Sequence, residues 1–230
     1  MKFSIVIPVH NEAENILKLI NEINNTLKDE YIYEIIVVDD KSTDNTLKIL
    51  SENIKNTSII KNINNMGQSF SLHKGIMKSN YKTIVTMDGD GQNNPLDIKK
   101  LFLLFNEENN LDLIAGIRRN RQDSIIKILS SKLANFIRRL ILKDHCVDTG
   151  CSLKIFKKNS FLEFPYFDGM HRFIPSLFEG FGFKGKYIEV DHRKRIGGKS
   201  KYGTIDRLFK GINDLILVKK IINNKNLNNV

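Results

Sequence analysis

Four short apolar runs, each closed by a polar or acidic cluster and followed by an amphipathic stretch, fill about the first ninety residues and constrain the fold more than any other feature. The first is Phe3-Ser4-Ile5-Val6-Ile7-Pro8-Val9, running into His10-Asn11-Glu12. The second, Glu34-Ile35-Ile36-Val37-Val38, ends in Asp39-Asp40-Lys41-Ser42-Thr43-Asp44. A shorter run, Thr57-Ser58-Ile59-Ile60, leads to Asn64-Asn65-Met66-Gly67-Gln68, and Thr83-Ile84-Val85-Thr86-Met87 delivers Asp88-Gly89-Asp90-Gly91-Gln92. Buried strands alternating with helices predict an α/β fold: a mostly parallel sheet with helices on both faces. Ligands of such sheets bind at the carboxyl ends of the strands. Glu12, Asp39, Asp88 and Asp90 all fall on that edge. Ser42, Thr43 or Asp44 is placed to cap the second helix, and capping is the role expected of Asp44.

Asp88 and Asp90 stand two apart at a strand end. Carboxylates so placed can share one hard divalent cation, Mg²⁺ or Mn²⁺, with Gln92 as a further contact, leaving positions open for diphosphate oxygens. The same pattern also occurs as a solvated acidic turn. The acids gathered upstream favour the nucleotide and metal reading.

These segments resemble the successive signatures of family 2 glycosyltransferases with the GT-A fold, and more closely the polyprenyl-phosphate sugar transferases of the dolichol-phosphate mannose synthase type. The resemblance rests on Ile5 to Glu12, Val37 to Asp44 and Asp88 to Gln92. It continues in Ala115-Gly116-Ile117-Arg118, in Asp148-Thr149-Gly150-Cys151-Ser152-Leu153-Lys154 and in Arg195-Ile196-Gly197-Gly198-Lys199-Ser200-Lys201-Tyr202-Gly203, spanning roughly residues 3 to 220. His10 stands where the mannose synthases usually have Tyr, and Gly89-Asp90-Gly91 replaces their usual Ala-Asp-Leu. The resemblance implies a nucleoside-diphosphate sugar donor, GDP- or UDP-linked, and an undecaprenyl or dolichyl phosphate acceptor. It also puts Arg118 near the donor and the Arg195–Gly203 loop over the phosphates.

Charge fits that implication. Of the net +10, the segment from His192 to Val230 carries +8 and everything before it only +2. Arg193-Lys194-Arg195 and Lys199-Ser200-Lys201 flank Gly197-Gly198, a flexible basic loop suited to phosphate. Beyond it, Ile205, Leu208, Phe209, Ile212, Leu215, Ile216, Ile221 and Ile222 recur at roughly helical spacing among Arg207, Lys210, Lys219 and Lys220. A similar basic amphipathic stretch runs from Ile125 to Lys143. Each is either a helix packed on the core or an interfacial helix on anionic lipid. Neither is apolar enough to span a bilayer, which takes about 20 residues. The expected organisation is a catalytic domain over 1–203, a basic amphipathic helix over 204–222 and a frayed tail over 223–230.

At 230 residues and 41% apolar content, one domain has ample core. The chain enters a strand at once, so no signal peptide is expected. Cys146 and Cys151 suit neither a zinc site nor a redox pair and are expected as reduced thiols. The expected setting is peripheral, on the inner face of the cytoplasmic membrane, with a homodimer or membrane-protein partner left open.

The charges suggest the chemistry. The cation held by Asp88 and Asp90 would stabilise a departing nucleoside diphosphate, with Arg118, Arg195 and Lys201 as further clamps. Glu12 and Asp39, with the backbone around Pro8 and Val38, would hold base and ribose, and His10 and Gly89 belong to the same nucleotide-sugar contacts. A lipid phosphate is already largely ionised near pH 7. It needs a cationic guide, for which His171, Arg172, Arg195 and Lys201 are candidates, rather than a base. A sugar hydroxyl would need a carboxylate base, and Asp148 is the nominee, unless it merely caps the turn before Thr149-Gly150. Direct displacement in either case inverts the anomeric carbon.

Other classes fit less well. A sugar-nucleotide pyrophosphorylase would open with a Gly-rich loop where Pro8-Val9-His10-Asn11-Glu12 stands. A processive polysaccharide synthase would carry a Gln-x-x-Arg-Trp motif, and the chain has no Trp. Nucleic acid is not an expected partner, because acidic strand ends repel phosphate.

Overall fold

The structure, a computed structural model, describes residues 2–53, 57–108, 110–119, 125–194 and 204–227. The first half alternates as β1 (Lys2–Val9), α1 (Ile16–Leu27), β2 (Ile32–Asp39), α2 (Thr46–Asn53), β3 (Thr57–Lys61), α3 (Gln68–Lys78), β4 (Thr83–Thr86) and α4 (Leu96–Glu107). The second half continues with β5 (Leu113–Arg119), α5 (Ile125–Leu142), β6 (Lys154–Lys157), α6 (Lys158–Leu162), α7 (Ile174–Gly180), β7 (Gly185–Asp191) and α8 (Thr204–Leu227). The strands form one seven-stranded sheet in the order β3-β2-β1-β4-β6-β5-β7. All neighbours run parallel except β6, which is antiparallel to both β4 and β5. This is the expected α/β architecture.

Period-two alternation divides the core between the faces of the sheet. Phe3, Ile5, Ile7 and Val9 of β1 point to one side, where Ile16, Leu19, Ile20 and Ile23 of α1 and Ile98, Leu101 and Phe102 of α4 cover them. Val6 points to the other side and joins Leu72 and Ile76 of α3, Leu177 and Phe178 of α7, and Leu215, Val218 and Ile222 of α8. α3 comes very close to the sheet at Gly75, where a Cβ would lie 2.4 Å from Val6 Cγ1.

The chain steps from β1 to β2 and β3 on one side, then returns to place β4 on the other. β1 is therefore the switch point of the sheet, where open α/β sheets hold their ligands. Its pairing with β4 ends at Val6–Thr86. Pro8, which cannot donate to a ladder, lies just beyond that point and still faces Val38 of β2. The candidate crevice is therefore placed at the carboxyl ends of β1 and β4, beyond their last pair.

α8 continues to Leu227, past the expected boundary at 222. Lys225 pairs with Glu163 at 3.0 Å and lies over the Phe181 ring, which holds residues once expected in a frayed tail. No helix among the described residues is long and apolar enough to cross a membrane.

Candidate active site

Hydrogen bonds from short polar side chains stitch the loops after β1 and β2 together. Asn11, at a left-handed φ of 56°, donates its N–H to Ser42 Oγ at 2.9 Å and accepts from the Thr43 N–H at 2.7 Å. Glu12 is buried; its N–H reaches Thr46 Oγ1 at 2.8 Å, and its carboxylate accepts from Asn15 at 2.9 Å. His10 Nδ1 donates to the Asp40 carbonyl at 2.9 Å. Asp44 accepts from the Thr46 N–H at 2.9 Å and so caps α2.

The two neighbouring acids at the end of β2, Asp39 and Asp40, have different roles. Asp40 is used up structurally, its oxygens accepting from the N–H groups of Met66 and Gly67 and from Asn62 Nδ2, each at 2.8 Å. Asp39 accepts from the Ser42 N–H at 3.2 Å through Oδ2. Its buried Oδ1 has no hydrogen-bond partner among the described residues. A buried orphan carboxylate oxygen is costly unless a ligand donor completes it.

Across the crevice, Asp88 accepts from Gln68 Nε2 at 2.8 Å, while its own N–H faces Ser152 Oγ at 3.2 Å. Burial pushes the Asp88 carboxyl above its ordinary pKa, opposed by the Ser152 hydrogen bond and by the charges of Lys154 and Arg118. Asp90 turns one oxygen back to the Gln92 N–H at 3.1 Å, and Gln92 gives its side-chain amide to the Arg193 carbonyl at 3.2 Å. Asp88 and Asp90 are hard oxygen donors of the kind Mg²⁺ and Mn²⁺ take, and a desolvated Asp88 is a carboxylate that a cation would suit. Among the described residues, no group of three or more His, Cys, Asp or Glu side chains forms a ready-made metal centre.

Gly89 lies against β1: a Cβ there would be 2.5 Å from Val9 Cγ1 and 3.5 Å from the Pro8 carbonyl. Arg118, at the end of β5, grips Asp148 through two parallel bonds, Nε to Oδ2 at 2.8 Å and Nη2 to Oδ1 at 2.7 Å. The Arg118 backbone N–H adds a third bond at 3.1 Å. Gly150 makes room for the pair, since a Cβ there would stand 2.8 Å from Arg118 Nη2. His171 Nδ1 shares a 2.6 Å hydrogen bond with Ser69 of α3, so the helix that sends Gln68 to Asp88 also holds His171. Arg172 is drawn away to Asp214 of α8. Arg195 and Lys201, with the glycines between them, lie outside the described residues.

Gln68, and Ser152 and Lys154 within the Asp148–Lys154 segment, were given no role of their own from the sequence. Lys154 is 2% exposed, and its ammonium meets the Cys151 carbonyl. Burial pushes its pKa down, while the thiols of Cys151 and Cys146 and the carboxylates of Asp88 and Asp148 pull it back up. Its signal was a lone cation inside the apolar run Leu153-Lys154-Ile155-Phe156. Gln68 and Ser152 gave no such signal, because either is ordinary at a helix start or in a turn.

Acids at the switch point of a mostly parallel sheet, with a guanidinium and a buried ammonium beside them, define an α/β protein with a candidate ligand site at the carboxyl ends of its strands. The sequence matches the family described as Glycosyl transferase family 2 over residues 4–164, and the chain belongs to that family. It is 34% identical over 226 residues to dodecaprenyl-phosphate galacturonate synthase of Rhizobium johnstonii, covering 95% of this chain and 66% of the relative. To undecaprenyl-phosphate 4-deoxy-4-formamido-L-arabinose transferase of Proteus mirabilis it is 33% identical over 220 residues, covering 94% of this chain and 67% of the relative. The chain thus spans about two thirds of the length of these relatives.

Among solved structures, glucosyl-3-phosphoglycerate synthase of Mycobacterium tuberculosis, in complex with Mn²⁺, UDP and glucosyl-3-phosphoglycerate, superposes with a TM-score of 0.70 at 17% identity, covering 94% of this chain and 78% of that one. Mannosyl-3-phosphoglycerate synthase of Rubrobacter xylanophilus gives 0.71 at 13% identity, covering 94% and 73%. The fold is that of the GT-A glycosyltransferases.

Proposed function

We propose that this chain moves a sugar from a nucleoside-diphosphate sugar to a polyprenyl phosphate, with inversion at the anomeric carbon. The observation that carries the acceptor class is the Arg118–Asp148 pair. Both oxygens of Asp148 accept from one guanidinium, so the carboxylate nominated as a base for a hydroxyl acceptor is already committed. A phosphate acceptor needs no base, being largely ionised near pH 7. The two relatives, a dodecaprenyl-phosphate galacturonate synthase and an undecaprenyl-phosphate 4-deoxy-4-formamido-L-arabinose transferase, support the same acceptor.

In this reading Asp39 Oδ1 takes a donor N–H or O–H from the nucleoside, and Glu12 and the backbone at Pro8 and Val38 line the same side. Asp88 and Asp90 would hold Mg²⁺ or Mn²⁺, which supplies neutralisation of the diphosphate's developing charge when bound. Gln68 and Ser152 keep Asp88 oriented across the crevice. Lys154 offsets the concentrated negative charge from beneath. Arg195 and Lys201 are the proposed phosphate clamps, with Arg118, whose Nε and Nη2 are held by Asp148, contributing its charge rather than a free fork, and His171 on the acceptor side. The acceptor is confined to a bilayer, so the reaction takes place at a membrane surface.

A two-phase assay tests the reading. Protein, Mn²⁺ and radiolabelled GDP- and UDP-sugars are mixed with undecaprenyl phosphate in detergent. Label is expected to enter the organic phase, to stay behind when the metal is chelated, and to be lost in Asp90→Asn with the fold intact. NMR of product from an α-linked donor should show a β linkage. Donor hydrolysis without lipid product would return the choice to a hydroxyl acceptor, and full activity of Asp90→Asn would remove the metal.

A further inference from the structure

One buried hydroxyl organises the turn that carries His171. Ser69, in the first turn of α3, is fully buried. Its Oγ accepts from the Gly169 N–H at 3.0 Å and from the His171 N–H at 3.4 Å. Its remaining neighbour is His171 Nδ1, at 2.6 Å. Gly169 takes a left-handed φ of 98°, and a Cβ there would stand 2.5 Å from Asp214 Oδ2 and 2.9 Å from Arg172 Nη2. Met170, the next residue, is buried in the core. The ring of His171 is thus carried on a turn fixed from both sides.

This arrangement decides where the ring proton sits. A hydroxyl has one hydrogen to donate and two lone pairs to accept with. The two backbone N–H groups use the lone pairs of Ser69, so its hydrogen goes to His171 Nδ1, the acceptor left beside it among the described residues. Were Nδ1 protonated instead, three donors would crowd one oxygen, and the Ser69 hydrogen would be buried without a partner. In a neutral imidazole a bare Nδ1 puts the proton on Nε2.

We infer that Ser69 is a positioning residue, holding His171 in the tautomer whose Nε2–H donates to the acceptor phosphate. The phosphate half of this inference rests on the polyprenyl-phosphate reading; the tautomer does not. An ionised phosphate offers only lone pairs, so an Nε2–H suits it, whereas a bare Nε2 would meet it lone pair to lone pair. The location agrees. Gln68, one residue before Ser69, gives its side-chain amide to Asp88 at 2.8 Å, so a single turn of α3 supports both a proposed metal acid and the acceptor-side histidine. Arg172, the other acceptor candidate on this turn, is paired with Asp214.

The wild-type protein, labelled with ¹⁵N-histidine, tests the tautomer at a pH well above the ordinary histidine pKa. The His171 signals, assigned by their absence from His171→Gln, should show a bare Nδ1 and a protonated Nε2. A glutamine amide can reach the place of Nε2, whereas an asparagine amide reaches only that of Nδ1. His171→Gln should therefore exceed His171→Asn by about 10-fold or more in kcat/KM for undecaprenyl phosphate, the worth of a hydrogen bond to a charged group. Ser69→Ala should lower the same constant by about 10-fold while leaving the KM for the donor sugar nucleotide in place. A protonated Nδ1 in the wild type overturns the inference, whether or not the protein transfers sugar. An asparagine variant as active as the glutamine one overturns it too, and so does a Ser69→Ala defect that falls equally on donor and acceptor. A bare Nδ1 in a protein that transfers nothing to lipid phosphate would uphold the tautomer and overturn the acceptor reading instead.

Discussion

Replacing Gly89 by alanine puts a methyl group where the turn after β4 meets β1. The new Cβ would lie 2.5 Å from Val9 Cγ1, whereas ordinary carbon contacts begin near 3.5 Å, so something must move by about 1 Å. Gly89 is not in the left-handed region, so the cost is steric and not conformational. Overpacking of this kind costs about 1–3 kcal/mol, and the stiffer unfolded chain returns about 0.4–1 kcal/mol. A net loss of about 1–2 kcal/mol is expected in urea unfolding followed by circular dichroism. Val9→Ala alone, which removes two buried methyl groups, should cost about 2 kcal/mol. The double variant removes the clash, so its loss should fall short of the sum by about 1–2 kcal/mol. Transfer should follow the same logic: slowed in Gly89→Ala because Asp88 and Asp90 shift with the turn, and restored towards the Val9→Ala level in the double variant. Losses that add to within about 0.5 kcal/mol would refute the contact as the cause.

Two further perturbations probe the supports around the site. Arg138→Met leaves Asp144 buried with its ion pair broken and should destabilise the fold by about 3–5 kcal/mol in urea; a loss under about 1 kcal/mol would show that the network is dispensable. Burial pushes the Cys146 thiol up to about 12 and the Cys151 thiol up to about 11, so neither should react with Ellman's reagent at pH 8 in the folded protein, and both should react once it is unfolded. The unfolded thiols ionise near 9 while the folded ones do not, so the native state binds more protons above that pH. Their contribution is therefore complete below about pH 9 and lost as pH rises towards 11 and 12, a decline that Cys151→Ala should reduce.

Much of the acid-bearing edge of the sheet was legible in the sequence. The apolar runs that became β1, β2 and β4 are long or sharply bounded, and each ends in its acid, so the order of elements alone brings Glu12, Asp39, Asp88 and Asp90 to one side of the sheet. The separate roles of Asp39 and Asp40 were not legible. They depend on which carboxylate meets the Met66 and Gly67 N–H groups, and those arrive from a loop more than twenty residues away. The antiparallel insertion of β6 between β4 and β5 was equally hidden, because a four-residue run carries no mark of its neighbours or their direction.

The amphipathic helices show the division best. Their spacing of apolar and basic residues fixes which side of each helix is apolar, since a helical period of 3.6 is a local property. What covers that side is not local. Tertiary structure buried Leu215, Val218 and Ile222 of α8 and left Leu133, Phe136 and Leu140 of α5 exposed. It also committed Arg118 to Asp148 and Arg172 to Asp214, because burial and ion pairing depend on groups that meet only when distant segments pack together.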